Sequence, residues 1–411
     1  MSKEKLGVAF IGSGFSAKMH ITGFRGIKNG DVVAIYDINL NNAKNLSNYA
    51  KEIGLKEPKV YDDLHKLIIN PEVNAIWILT PNFTHLDMTK RVVEEITQTN
   101  NNIIGLAITK PLARNYSEAK EIYTTVKKSG LLHGYLETEV FMPSVQKGKE
   151  LVWSFGVKGS DRPYLARGSE EHAGPHSAWF WDPTKSGGGA LLDMGGHSME
   201  TTRFLLTDPS KPKISLKPKE IYSFIASLKW TKGKYVEDLK KKFGIDYLKS
   251  PAEDYSITLV TYEDETGQLV LTEARSAWSY VGSAMRLYYE IWGPEYSFVI
   301  NTLQPELTLF FSHNLNLSKV TEIVEKQNAI EGNMPVIANE PYTYGYQGVD
   351  ENVINSFLKN ELPYENLDDA LFITSLQMLA YYSAEKGQKI RYDISVIENY
   401  TPSVSQGRWK P

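Results

Sequence analysis

Short apolar runs alternate with stretches of helical spacing over the first third of the chain. Residues 6–11, 31–36, 73–79, 103–108 and 131–136 are dense in Val, Ile, Leu and Ala and read as buried strands. Between them, 15–26, 40–53, 85–96 and 117–129 carry apolar positions at the three-to-four-residue intervals of a helix, the last stopped by Gly130. Strands apolar on both faces, each followed by a helix, need helices over both sides of a parallel sheet. Residues 1–142 are therefore predicted to form an α/β Rossmann domain with a doubly wound parallel sheet.

The pattern changes near Pro143. Alternation of apolar and polar residues at period two appears at 221–228, 256–262, 268–276, 285–292 and 296–300, which predicts a large, mostly antiparallel sheet. A Gly-rich turn, Gly187-Gly188-Gly189, precedes a helix expected over 190–206. Two polar stretches read as excursions: 233–251, Lys-rich and helical in spacing, and 312–345, rich in Asn. Amphipathic helices are expected at 352–358 and 367–386. These elements predict an α+β domain over 143–363. A closing helix and tail over 364–411 are expected to pack back on the first domain.

With 42% hydrophobic and 23% charged residues, the chain can bury a large core and shows no signature of disorder. The formal net charge is -4, which argues against a nucleic-acid surface, since phosphate binding needs clustered excess cations. The run Lys240-Lys241-Lys242 reads as a solvated helix face. No cysteine is present, which excludes disulfides, thiolate nucleophiles and iron–sulfur clusters. The N-terminal apolar run is too short for a signal sequence, and no stretch nears the ~20 residues needed to span a bilayer. A cytoplasmic protein with no membrane partner is the expectation.

The first strand runs into Gly12-Ser13-Gly14-Phe15-Ser16-Ala17, the G-x-G-x-x-A form of the dinucleotide fingerprint. Gly12 permits the tight turn, Gly14 lets the backbone approach a pyrophosphate, and small Ala17 lets helix and strand pack closely. The helix that begins at Phe15 and Ser16 offers unpaired N–H groups to the phosphates. Asp37 ends the second strand at the spacing of a ribose-binding acid, and no arginine occurs from Ile38 to Lys44. An acid there repels a 2′-phosphate, so NAD is preferred to NADP. Thr80, Pro81, Asn82 and His85 follow the third strand, at the edge where ligands bind in such sheets. They can line the cofactor or simply start a helix.

Alcohol oxidation needs a base and a cation near the developing alkoxide. Lys110 follows a buried strand and precedes Pro111, which places its amine at the carboxyl edge of the sheet. Asp193 and His197 are four residues apart, so one helix would present both on one face.

With these motifs the chain resembles the Gfo/Idh/MocA (glucose–fructose oxidoreductase / inositol dehydrogenase) family over nearly its whole length. The resemblance rests on the fingerprint, Thr80-Pro81-Asn82, Lys110-Pro111, the Asp193/His197 pair and the closing helix with Ser383-Ala384-Glu385-Lys386-Gly387. It implies an NAD-dependent dehydrogenase acting on CH–OH groups, moving a hydride to or from a secondary alcohol of a sugar or inositol. In it Lys110, also close to the cofactor, polarises the oxygen, His197 acts as acid/base and Asp193 orients the substrate. It also implies a homo-dimer or homo-tetramer. The chain departs once, with Thr109 where the family has glutamate.

Residues 164–181 look like a loop rich in carboxylates, histidines and tryptophans, a mixture that suits a polyol. Arg167, Glu171, His172, His176 and Trp179 are the substrate candidates, with Tyr346. Gly174-Pro175 interrupts any helical face carrying the histidines, so no metal is expected. Two other functions stay open: glycoside cleavage through transient oxidation by retained NAD, which would use the same hydride-transfer residues, and a catalytically silent sugar or nucleotide sensor, in which Lys110 or His197 would be dispensable.

Overall fold

The computed structural model describes residues 5–311, 323–328 and 332–411. The chain forms two compact units, one of residues 1–142 with 341–374 and one of residues 143–340 with 375–411.

The first unit is built on a six-stranded parallel sheet. Its strands are β1 (Leu6–Ile11), β2 (Gly30–Tyr36), β3 (Lys59–Tyr61), β4 (Ala75–Ile78), β5 (Gly105–Thr109) and β6 (Leu132–Leu136), in the order β3-β2-β1-β4-β5-β6. Every residue of β1 is buried, as the unbroken apolar run requires of a strand covered on both faces. The order reverses between β1 and β4, and that switch point opens the ligand crevice of a doubly wound sheet. One face is covered by α1 (Phe15–Gly23), α2 (Leu40–Glu52) and the later helix Tyr346–Leu358, through Ala17, Ile21, Leu46, Val353 and Phe357. The other face is covered by α3 (Leu64–Ile68), α4 (His85–Gln98) and α5 (Tyr116–Ser129), with Leu367 and Ala370. Asp350 of the later helix accepts from Trp77 Nε1 at 2.8 Å and lies 2.9 Å from His20 Nδ1, all three buried.

Two boundaries differ from expectation. Residues 341–363 belong to the first unit, where Val349, Val353, Ile354 and Phe357 join its core, and 375–411 to the second, whose sheet Ile390–Arg391 joins. The helix Leu367–Lys386 runs from one unit into the other.

The second unit carries a seven-stranded sheet. It contains β7 (Leu165–Glu171), β8 (Lys217–Ala226), β9 (Tyr255–Glu263), β10 (Leu269–Ala277), β11 (Arg286–Trp292) and β12 (Ser297–Asn301), ordered β12-β11-β7-β10-β9-β8 and closed by Ile390–Arg391. All pairs are antiparallel except β7 with β10. Strict alternation of burial along β9 is the period-two pattern of a sheet covered on one face. Residues 165–171, expected in a loop, form a central strand. Within 233–251 the helix Gly233–Phe243 ends at Gly244, whose φ of 70° suits a glycine stop. The excursion at 312–345 lies partly outside the described residues; inside it, Gly332–Val336 pairs with Leu307–Phe311. No helix of the described residues is long and apolar enough to cross a membrane.

Candidate active site

At the end of β1 the chain turns through Gly12 at φ 99°, where a side chain would strike the main-chain carbonyl of Leu79. Glycine is required there by both backbone conformation and space. Gly14 is different: a Cβ at that position meets nothing within 4 Å, so open space stands above it. Gly14 precedes α1, and no side chain caps the helix, leaving its first N–H groups available to an anion. Phe15 is exposed, Ser16 half-buried and Ala17 fully buried against the sheet. Asp37, half-buried at the end of β2, accepts from Ser13 N at 2.9 Å, Ser13 Oγ at 2.6 Å and Asn39 N at 2.8 Å. The acid thereby ties the glycine turn to its neighbouring strand. Beside it, Ile38 is 91% exposed, an apolar side chain set on the surface next to the acid.

The turns after β4 and β5 are joined by one ring. His85 is fully buried, with Nε2 2.7 Å from the Thr80 carbonyl and Nδ1 2.9 Å from that of Leu112. Burial lowers its pKa, against the pull of the carbonyls, so the ring is neutral and donates to one of them. His85, expected to bind cofactor, has both ring nitrogens against main-chain carbonyls and so positions the turns that carry Thr80 and Lys110. Pro81 is half-buried and Asn82 buried, while Thr84 Oγ1 donates to the Pro81 carbonyl at 2.7 Å. Lys110 is half-buried and precedes a cis Pro111. Thr109 lies opposite Leu136 in the β5–β6 pairing, and the next residue of that neighbouring strand, Glu137, is fully buried.

In the second unit, the helix expected over 190–206 is broken. Ala190–Asp193 ends at Met194, whose φ and ψ of -120° and -26° leave the helix, and Gly195–Leu206 starts afresh. Asp193 and His197 therefore sit on separate helical pieces, not one face of one helix. Asp193 Oδ2 accepts from Trp278 Nε1 at 3.0 Å. His197 is buried with Nε2 3.9 Å from Glu170 Oε2. The turn before Asp193 is held by Glu253, whose Oε1 accepts from Gly189 N, Leu191 N and Tyr381 Oη at 2.9, 3.0 and 2.7 Å. Burial outweighs those three donors and raises the carboxyl to about 7.

The candidates along 164–181 separate by strand geometry. A side chain at Gly168 would meet Thr202, so even-numbered positions of β7 face the helix Gly195–Leu206, and Glu170 faces it with them. Arg167 and Glu171 point to the opposite side. Arg167 pairs there with Glu290 at 3.1 Å and Glu273 at 3.4 Å and lies over Trp292, while Glu171 pairs with Arg286. These two lie on the sheet face opposite Gly168 and Glu170, Arg167 half-buried and Glu171 buried. His172 is buried and its Nδ1 accepts from Gly174 N at 3.0 Å. His176 is exposed, and Trp179 stacks on Phe180 at 3.7 Å. Tyr346 is in the first unit, edge-on to His20 at 5.0 Å, rather than among the second unit's residues.

The oxidoreductase-family model for the NAD-binding Rossmann fold of GFO/IDH/MocA proteins matches residues 6–135, and the GFO/IDH/MocA C-terminal domain matches residues 161–299. The chain belongs to the GFO/IDH/MocA oxidoreductase family. An uncharacterized oxidoreductase of Synechocystis is 28% identical over 49% of this chain and 51% of its own length. D-glucoside 3-dehydrogenase of Escherichia coli is 26% identical over 52% of this chain and 58% of its own. The scyllo-inositol 2-dehydrogenase (NAD(+)) of Bacillus subtilis is 27% identical over 38% and 42%. The chain thus spans about half the length of the curated relatives it matches. Among solved structures, GenD2 from gentamicin A biosynthesis in complex with NAD shares the fold with a TM-score of 0.74 at 19% identity, over 95% of this chain and 97% of that one.

Against the GFO/IDH/MocA frame, sequence reasoning missed Glu137, Glu170, Glu253 and Trp278. Glu170, Glu253 and Trp278 meet their partners at long range in the chain, Glu137 accepts from Glu139 N two residues on, and no local motif marks any of them. Ile38 was open to view as an apolar residue directly after the acid.

Proposed function

We propose that this GFO/IDH/MocA member is an NAD-dependent dehydrogenase acting on a secondary alcohol of a sugar or cyclitol. The observation that carries the reading is the nucleotide edge of the first unit: open space over Gly14, an uncapped helix start and a carboxylate at the end of β2. These residues fit a dinucleotide. Gly12, Gly14, Phe15, Ser16 and Ala17 would hold its phosphates, Asp37 its ribose with Ile38 covering the adenine, and Thr80, Pro81 and Asn82 the nicotinamide half. Bound NAD supplies a hydride acceptor.

The protein's own groups do the rest. The Lys110 ammonium stabilises negative charge developing on the reacting oxygen. His197 takes the hydroxyl proton, and the nearby Glu170 carboxylate favours the imidazolium that results. Asp193, fixed by the Trp278 N–H, accepts from a substrate hydroxyl. Glu137 takes the part of the acid absent at Thr109, since it follows the residue paired with Thr109. The relatives named for D-glucoside and scyllo-inositol oxidation support the substrate class. The exposed Tyr222, Phe224 and Val299 of the second-unit sheet support pairing of two copies, which sedimentation would detect.

Mixing the protein and NAD with a panel of sugars, inositols and glycosides, with products identified, is expected to raise absorbance at 340 nm for at least one. Glycoside cleavage without NADH would overturn net dehydrogenation. Asp37→Ala is expected to weaken NAD binding roughly tenfold to a hundredfold, the worth of one or two hydrogen bonds to a charged group. Calorimetry with an unchanged NAD affinity would remove Asp37 from the ribose site.

A further inference from the structure

Glu253 and Asp254 stand side by side at the entry to β9, both fully buried. Two adjacent acids withdrawn from water are costly unless the fold bonds their oxygens. Glu253 grips the main chain that leads to Asp193, as described, and its carbonyl adds a bond from Ala190 N at 3.0 Å. From the helix Leu367–Lys386, Gln377 Nε2 donates to the carbonyls of Leu191 and Leu192 at 3.1 and 3.0 Å. The reaction as described gives Asp254 no part.

Asp254 faces another way. Its carboxylate accepts from three successive main-chain N–H groups, those of Leu228, Lys229 and Trp230, at 2.7, 2.8 and 2.9 Å. Such a run of N–H groups forms a concavity for an anion, and here the protein fills it with its own side chain. Trp230, held there by its main chain, sends Nε1 to the Trp278 carbonyl at 2.8 Å. The Trp278 main-chain N–H donates to the Asp254 carbonyl, also at 2.8 Å. Asp254 thereby holds Trp278 twice, directly at its N–H and through Trp230 at its carbonyl. The Trp278 ring is fully buried and packs on Trp181 at 5.3 Å, so a fixed backbone leaves its indole N–H one direction. That direction ends on Asp193 Oδ2 at 3.0 Å.

We propose that Asp254 is a positioning residue for the reaction: through Trp230 and Trp278 it aims the N–H that orients the Asp193 carboxylate toward substrate. The inference rests on the dehydrogenase reading for the role of Asp193. Asp254→Asn keeps the volume but leaves one acceptor oxygen for three donors and turns an amide N–H toward them. Trp230→Phe is milder; it deletes the bond to the Trp278 carbonyl and keeps an aromatic ring.

The full-length protein is isotopically labelled at the indole nitrogens of its eight tryptophans and followed by NMR, with Trp278→Phe identifying the Trp278 resonance. Asp193→Asn is expected to shift that resonance, since the acceptor changes from carboxylate to amide. Asp254→Asn and Trp230→Phe are each expected to shift it too, and to speed exchange of its proton with solvent roughly tenfold, the worth of about one hydrogen bond. The indole of Trp77, buried in the first unit, is the reference for general loosening. A Trp278 signal that stays as in wild type in both variants, or that changes only in step with Trp77, overturns the assignment. Turnover is read in parallel on the panel of sugars, inositols and glycosides. For a probe that turns over, Asp254→Asn is expected to raise KM roughly tenfold with kcat little changed, because Asp193 holds its hydroxyl equally before and during hydride transfer. An unchanged KM also overturns the assignment. A shifted Trp278 signal with no turnover anywhere in the panel keeps Asp254 as the residue that positions Asp193 and removes the dehydrogenase reading. Turnover with an unmoved signal does the reverse.

Discussion

Lys110→Ala is expected to lower kcat by roughly 10²–10³-fold, the effect of removing one preorganised donor from a developing oxyanion. Lys110 sits just beyond β5, whose residues are all buried, so its amine emerges from a rigid edge and not from a loose loop. His85 adds to that rigidity by joining the Leu112 carbonyl, two residues after Lys110, to the Thr80 turn. The alanine variant keeps the apolar strand intact, so thermal unfolding should change little while turnover collapses. His197→Ala is expected to fall by roughly 10²–10⁴-fold, as loss of a proton acceptor does. Full turnover by Lys110→Ala in an initial-rate assay would remove the mechanism.

The second large effect concerns stability and pH. Burial holds the Glu253 carboxyl at about 7 in the folded protein, above its ordinary 4.5. A raised folded pKa means that the native state keeps a proton that the unfolded chain has lost. Stability from this group is therefore complete below pH 4.5 and declines as pH rises to about 7. At about 1.4 kcal/mol per unit, the decline amounts to about 3 kcal/mol. Glu253→Gln preserves the acceptor for Gly189, Leu191 and Tyr381 but cannot titrate, so its stability should be flat through this window. Urea denaturation of both proteins at pH 5 and pH 7.5 provides the comparison. Parallel losses in the two would show that another group governs the slope.

Much of the first unit was open to view in the sequence, because a strand buried on both faces announces itself as an unbroken apolar run. β3 escaped: Lys59, Val60 and Tyr61 are too few to show any period. β7 escaped for a different reason. Arg167, Gly168, Ser169, Glu170 and Glu171 are polar on both sides, since one side meets a polar helix and the other an ion-pair array, so no alternation of hydrophobicity marks the strand. That is why Arg167 and Glu171 were grouped with His172 and His176 in one loop, when the strand sends them to the far face. The break at Met194 was equally hidden, because residues on both sides of it keep helical spacing and are buried. The glycine fingerprint and Asp37 were legible since they act through neighbouring backbone. Trp278 and Glu253 were not, since they reach Asp193 and its turn only after the sheet has formed.

The composition of the first unit from two stretches of chain has a consequence during synthesis. When residue 142 leaves the ribosome, all six of its strands exist, yet the Tyr346–Leu358 helix that covers Trp77 and Leu136 has not been made. About 200 residues must be translated first, which at roughly 5–20 residues per second takes some 10–40 seconds. For that interval the nascent sheet waits with part of one greasy side uncovered, the part that α1 and α2 leave to Val349, Val353, Ile354 and Phe357, and His20 waits for the carboxylate of Asp350. A fragment ending at 142 would carry that uncovered part permanently.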